Sequence, residues 1–197
     1  DGLDDKEKLL KGFDGKIRTD IRRGANQNHI TVRDDMNIID FIKLNHMVYK
    51  RQKIKSPHSK NFLLKFDETC SSRNVRKIFI ATDQQGRKHA GIYIVWDNNS
   101  AYYLLGGSDP DLRNTGANSL CMWEAIKFAS TITNRFDFEG SMIEPVEHFF
   151  RGFGCIQMPY HNILYSYNIK LLLEKTKFLK LQITKISQKL WLILLFY

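Results

Sequence analysis

Cysteine is scarce and poorly spaced for crosslinking. Cys70, Cys121 and Cys155 are odd in number and scattered, which excludes a disulfide framework and makes a reducing, cytosolic setting the expectation. The cysteines and histidines show no C-x-x-C or H-x-x-x-H spacing, so no metal site is expected. No apolar run reaches the roughly 18 residues needed to span a bilayer; the terminal WLILLFY falls well short. No N-terminal stretch reads as a signal peptide, and the chain opens on Asp1, as an excised piece would. There is no internal repeat and no low-complexity tract.

What is present suits a folded domain. In 197 residues, 43% hydrophobic and 12% aromatic content supports a substantial core. The net charge of +9 is unevenly distributed. Residues 1–60 hold 14 Lys and Arg against 9 Asp and Glu, residues 61–167 hold 10 against 11, and residues 168–197 hold 6 against 1. A neutral middle with basic ends argues against a surface that coats nucleic acid throughout. It fits an enzyme core whose edges face an anionic partner.

Hydrophobic spacing predicts a helix from Asp4 to about Ala25, a strand at His29–Arg33, and a helix from about Asn37 to Lys50 capped by Asp34 or Asp35. A basic loop, Lys50–Lys60, leads to a helix over Ser59–Ser71. Three strands follow, Val75–Thr82, Lys88–Trp96 and Ala101–Gly106, joined by the turns Asp83–Gly86 and Asp97–Ser100. A helix over Ala117–Thr131 then crosses to a strand at Arg135–Glu139, the change from meander to βαβ that marks an α/β sheet. Pro145 opens a short helix to Arg151, and a hairpin is expected through Cys155–Tyr167. Residues 168–197 read as a basic amphipathic helix, able to dock on the domain or lie on a membrane surface.

The chemistry concentrates between Tyr102 and Tyr167. An apolar strand enters a Gly-containing loop with one Arg, RNTGAN at 113–118, which feeds directly into a helix. Such a loop aims backbone N–H groups and the positive helix end at one point, where an anion binds. The candidate anion-binding residues are Arg113, Asn114, Thr115, Gly116 and Asn118. In Phe136–Gly140 the acids alternate with phenylalanines, so Asp137 and Glu139 are expected on one strand face. Glu139 is the candidate proton acceptor or amine anchor, with Asp137 and Ser141 as orienting groups. A strand-edge N–H near Leu104–Gly107 would stabilise an oxyanion. Tyr103, Gly106, Gly107 and Tyr160 are candidate substrate contacts.

The order of these elements resembles the GNAT acyltransferase fold. RNTGANSLCMWEAIKFAS, FDFEGSM and FFRGFG are similar to its Fem-type branch, the aminoacyltransferases that build peptidoglycan cross-bridges and related envelope enzymes. The resemblance covers about residues 1–168. KIRTDIRRGAN is similar to the entry into the second of two tandem GNAT domains, so a preceding domain is expected. It implies an α/β (α+β) fold: a mixed central sheet with helices on both faces, plus a C-terminal helical tail. The divisions it suggests are a basic helix at 1–27, the acyltransferase domain at 28–167 and the basic helix at 168–197. It implies direct acyl transfer to an amine of a cell-envelope precursor in a ternary complex, without a covalent enzyme intermediate. The donor is acyl-CoA, gripped at the pyrophosphate by Arg113, Gly116 and Asn118, or aminoacyl-tRNA. Asn118 stands where Gly or Ala is usual and would crowd a phosphate, which weighs against CoA. A cytoplasmic enzyme touching tRNA, and the inner membrane surface through its C-terminal helix, is the expectation. A non-catalytic GNAT-like binding module is the alternative from another class.

Overall fold

A computed structural model describes residues 2–141 and 143–158. Tyr160, most of the expected closing hairpin and the helix expected at 168–197 lie outside the described residues.

The N-terminal segment forms two helices, not the single one its periodicity predicts. α1 (Lys6–Gly12) is capped by Asp5, whose carboxylate accepts from Lys8 N–H at 2.9 Å. Phe13 then adopts an extended backbone, and α2 runs over Gly15–Arg22. The break comes from tertiary contacts. The Phe13 ring is buried edge-on against Trp123 and Phe153, at 5.3 and 5.1 Å between centroids. Asp14 N–H donates to the Gly152 carbonyl at 2.8 Å. The Arg18 guanidinium donates to the Lys11 carbonyl at 2.8 Å and to the Phe13 carbonyl, satisfying acceptors left at the end of α1. A π-helical turn at Arg23–Gln27 carries α2 into β1 (Thr31–Arg33).

α3 (Ile38–Arg51) is capped by Asn37, which accepts from Asp40 N–H at 3.1 Å. Asp34 and Asp35, the expected caps, are instead drawn into ion pairs with Lys77 and Arg33. α4 (Lys60–Ser72), capped by Ser59, leads into the meander of β2 (Arg76–Thr82), β3 (Lys88–Trp96) and β4 (Ala101–Ser108). α5 (Ala117–Ala129) crosses over to β5 (Phe136–Asp137), and α6 (Glu144–Arg151) follows with Pro145 in its first turn. The sheet runs β1-β2-β3-β4-β5, antiparallel until the parallel β4–β5 pair.

Helices cover both faces, which is why β2 is apolar without alternation over Ile78–Ala81. One core gathers Phe79, Ile92 and Ile94 with Met122, Trp123 and Ile126 of α5. The other sets Phe41 and Leu44 of α3 against Ile78, Ile80 and Tyr93. Each fully buried aliphatic or aromatic side chain there contributes about 1.5–3 kcal/mol.

Two irregularities shape the functional end. β5 pairs with β4 only at Ala101–Phe136 and Tyr102–Asp137, so among the described residues β4 has an open edge beyond Tyr102. Opposite β3, Tyr93 pairs with Leu105 and Ile94 with Tyr103, leaving Leu104 as the extra residue of a bulge. The strand expected to reach Glu139 therefore ends at Asp137.

Candidate functional site

After β4 the chain makes a 3-10 turn at Pro110–Leu112, capped by Asp109, whose carboxylate accepts from Asp111 N–H at 2.9 Å. Arg113 and Asn114 then lead to Gly116, which starts α5 with φ at 81°. A side chain at Gly116 is barred twice over. The left-handed backbone disfavours it, and a Cβ would collide with the Asp20 carbonyl oxygen and lie 2.8 Å from Gly24 N. The C-terminal end of α2 thus packs directly on the start of α5. Arg23, ion-paired to Asp20 at 2.8 Å, donates to the Asn114 carbonyl at 2.9 Å, and Asn28 donates to the Thr115 carbonyl at 2.9 Å.

The N-terminus of α5 has no side-chain cap. The N–H groups of Ala117, Asn118 and Ser119 find no acceptor among the described residues. Unfilled donors at a positive helix end are what an anion requires. They border a cleft of about 440 Å³ between α2, the 109–116 loop and α6, whose wall includes Lys16, Asp20, Asp109, Arg113, Asn118 and His148. A second hollow of about 310 Å³ lies on the other side of the loop, against the β2–β3 turn. Exposed Arg113 borders both and has no carboxylate partner among the described residues. Behind the loop, His89 bridges Asp83 and Thr115 at 2.9 and 3.1 Å. Burial alone would raise the Asp83 carboxyl, but hydrogen bonds from His89 and Arg87 hold it well below the usual carboxylate range.

Of the residues singled out from sequence, Arg113, Asn114, Thr115, Gly116 and Asn118 all line the larger cleft. Asp137, Glu139 and Ser141 border neither hollow. Asp137 spends a carboxylate oxygen on the Glu139 N–H at 2.7 Å, Glu139 turns at φ 59°, and Gly140 follows at φ 69°. Asp137 is therefore the last residue of β5 and Glu139 lies beyond it in an exposed turn, so the two do not share a strand face. Ser141 accepts from Ile143 N–H at 3.1 Å, a local turn bond. Gly107 packs its Cα against the α3 backbone at Leu44–Asn45, which closes that face of the strand. Tyr103 stacks edge-on against Phe150 at 5.4 Å, with its hydroxyl lying over Gly106. Burial pushes the Tyr103 phenol well above its ordinary range, so it remains protonated.

Gly106 does offer chemistry through its backbone. Its carbonyl accepts from Asn45 Nδ2 at 2.7 Å, away from β3. On an extended strand the N–H of the same residue points the same way, toward the open edge. That donor lies two residues, roughly 7 Å, from the cleft-lining Ser108.

His148 and Asp109 were not singled out as site residues, whereas Lys16 belongs to the basic cluster at 16–23, which the sequence offered as a contact for tRNA phosphates or anionic lipid headgroups. Pro145, His148, Phe149 and Gly152 all border the cleft at spacings of three and four, a face of α6 that periodicity could have exposed. Burial raises the Cys155 thiol, and among the described residues it makes no hydrogen bond to His148. Among the described residues no group of three or more His, Cys, Asp or Glu could hold a metal ion, and no helix is long and apolar enough to cross a membrane.

The mixed sheet with a bulged, open-edged fourth strand, followed by a Gly loop into an uncapped helix, is the arrangement that the resemblance to acyl-group transferases implies. A family model described as acetyltransferase (GNAT) domain matches residues 12–143, and the chain belongs to that family, a class of acyl-transferring enzymes. Solved structures share the fold at low identity. FemX superposes at a TM-score of 0.68 with 13% identity, over 78% of this chain and 57% of its own, so the chain spans little more than half of that protein. A putative acetyl transferase from Pyrococcus furiosus gives 0.54 with 14% identity, over 70% of this chain and 99% of its own. The aminoglycoside N-acetyltransferase AAC(6')-Iy, in complex with CoA, gives 0.52 with 13% identity, over 71% and 96%. No curated protein sequence matches the chain.

Proposed function

We propose that this domain transfers an acyl group from aminoacyl-tRNA directly to an amine of a cell-envelope precursor. One observation carries the reading: among the described residues, Arg113 without a carboxylate partner and three α5 amides without an acceptor meet in a cleft whose wall also holds Lys16 and Arg23, set among Asp14, Asp20 and Asp109. That is a phosphate site. α2 adds Lys16 and Asp20 to the wall, and exposed Arg22 further along the same helix gives a polyanion a second cation to meet outside the cleft. The likeness to FemX over 78% of the chain supports the Fem-type branch. In this reading the donor's acyl arm runs from the cleft along Ser108 to the β4 edge. The Gly106 N–H takes the developing oxyanion as the amine nitrogen bonds to the acyl carbon and the ester C–O bond breaks. His148 accepts the proton released by the amine. Envelope precursor, tRNA and contact with the inner membrane surface are all part of this proposal.

Acyl-CoA is the second reading, favoured by the Arg113-x-x-Gly116 loop and by the fold shared with an acetyltransferase that binds CoA. Binding and turnover with acetyl-CoA and with aminoacyl-tRNA, each offered with a peptidoglycan-precursor amine, separate the two. Arg113→Ala should weaken donor binding about tenfold, since a charge-assisted hydrogen bond contributes about 1.5–3 kcal/mol. Unchanged affinity for both donors would remove the loop from the site.

A further inference from the structure

His89 borders both hollows from behind the Arg113 loop, and the chemistry proposed above gives its ring no part. Across β2 and β3, Ala81 pairs with Ala90 and Thr82 with Lys88, so His89 is the extra residue of a second bulge. Bulges re-aim side chains. This one turns an imidazole that is 3% exposed toward the loop that carries Arg113. His89 Nε2 lies 2.9 Å from Asp83 Oδ2, and Nδ1 lies 3.1 Å from Thr115 Oγ1. The backbone of His89 holds the same loop, its carbonyl accepting from Asp109 N–H at 2.9 Å.

The hydrogen-bond inventory decides what the ring is doing. Asp83 accepts from Gln85 N–H at 3.0 Å, Arg87 N–H at 2.9 Å and Arg87 Nε at 2.7 Å, so it is a carboxylate and His89 Nε2 must donate to it. Thr115 Oγ1 is also 3.1 Å from the Leu112 carbonyl, which can only accept. If the ring is neutral, the single hydroxyl hydrogen must serve either Nδ1 or Leu112, and one contact is lost. If the ring is an imidazolium, Nδ1 donates to Thr115, the hydroxyl donates to Leu112, and both contacts are made.

We propose that His89 is a positioning residue for the donor loop: its protonated ring latches Thr115 and holds Arg113–Gly116 in the anion-binding arrangement. The inference rests on the phosphate-site reading above and adds a pH dependence to it. The charged and titratable groups around the ring are Asp83 and Arg87 from the β2–β3 turn, Asp109, Asp111 and Arg113 from the loop, and His29 ahead of β1.

The test follows the His89 ring and the Leu112–Gly116 amides by nuclear magnetic resonance from about pH 5 to about pH 8.5, the span in which imidazoles usually titrate. CoA affinity is measured over the same range as a phosphate probe, using the full chain. The latch predicts that the loop amides shift with the midpoint of the ring. It also predicts that CoA binding weakens about fivefold as the ring loses its proton. Thr115→Ser should retain both effects, and Thr115→Val should flatten both while the protein stays folded. A Thr115→Val protein with the wild-type pH profile, or a ring that keeps one protonation state across the range, overturns the proposal. If CoA fails to bind at any pH, the acyl-CoA reading falls, and the coupling of ring and loop resonances alone decides the latch.

Discussion

Gly116→Ala tests the packing that builds the cleft, and Gly86→Ala is its control. Both glycines have a left-handed backbone, with φ of 81° and 77°. They differ in what a new methyl group meets. At Gly86 nothing lies within 4 Å, so the substitution costs only the backbone preference, about 1–2 kcal/mol. At Gly116 the methyl group runs into the Asp20 carbonyl, with Gly24 N and Asp20 C at 2.8 and 2.9 Å. Those are main-chain atoms of α2 and its π-helical turn, so no rotamer change relieves them. Either α2 is pushed outward or α5 gives up its first turn, an overpacking cost of about 1–3 kcal/mol beyond the backbone term. The total for Gly116→Ala is then about 2–5 kcal/mol, a large fraction of the 5–15 kcal/mol of a typical domain. Urea unfolding of both variants gives the comparison. Equal losses at the two positions would show that α2 does not press on the start of α5.

Glu139→Gln should change turnover less than threefold, because Glu139 is exposed in a turn outside the cleft; a fall of a hundredfold would restore it as the proton acceptor. Tyr93→Phe should cost about 1–2 kcal/mol at neutral pH, since the hydroxyl donates to buried Asp67 at 3.0 Å. Burial first, and then the Asp67 charge, raise the Tyr93 phenol well above its ordinary range. The folded state therefore binds that proton more tightly than the unfolded chain, where the phenol ionises near about pH 10. The resulting stability is complete below that pH and declines as pH rises above it. Urea midpoints measured from neutral to strongly alkaline pH should fall less steeply in Tyr93→Phe than in wild type; parallel curves would contradict the assignment.

The meander, α5 and α6 were legible because their signals are local. β-formers bounded by Asp and Gly turns, and an apolar helix entered through Gly116, need no distant partner to be recognised. The break at Phe13 was not legible. Leu9, Phe13, Ile17 and Ile21 continue one helical stripe, and only Trp123, Phe153 and the Gly152 carbonyl, more than a hundred residues away, pull the chain out of it. The Arg113 loop was found for the same local reason as α5. The opposite wall of the cleft was not, because Lys16 and His148 converge only once α2 and α6 pack. Phe136–Glu139 misled in the other direction: its alternation imitates a strand, but β5 has two paired residues before the chain turns at Glu139 and Gly140. His89 gave no sign at all, since a bulge depends on the partner strand.

The most direct test of the central claim is an amide-resonance titration of the full chain with CoA and, separately, with aminoacyl-tRNA. If the donor's phosphates dock at the start of α5, the N–H signals of Ala117, Asn118 and Ser119 should shift first and furthest, with Arg113 beside them. Saturable donor binding that leaves those signals unmoved would contradict it.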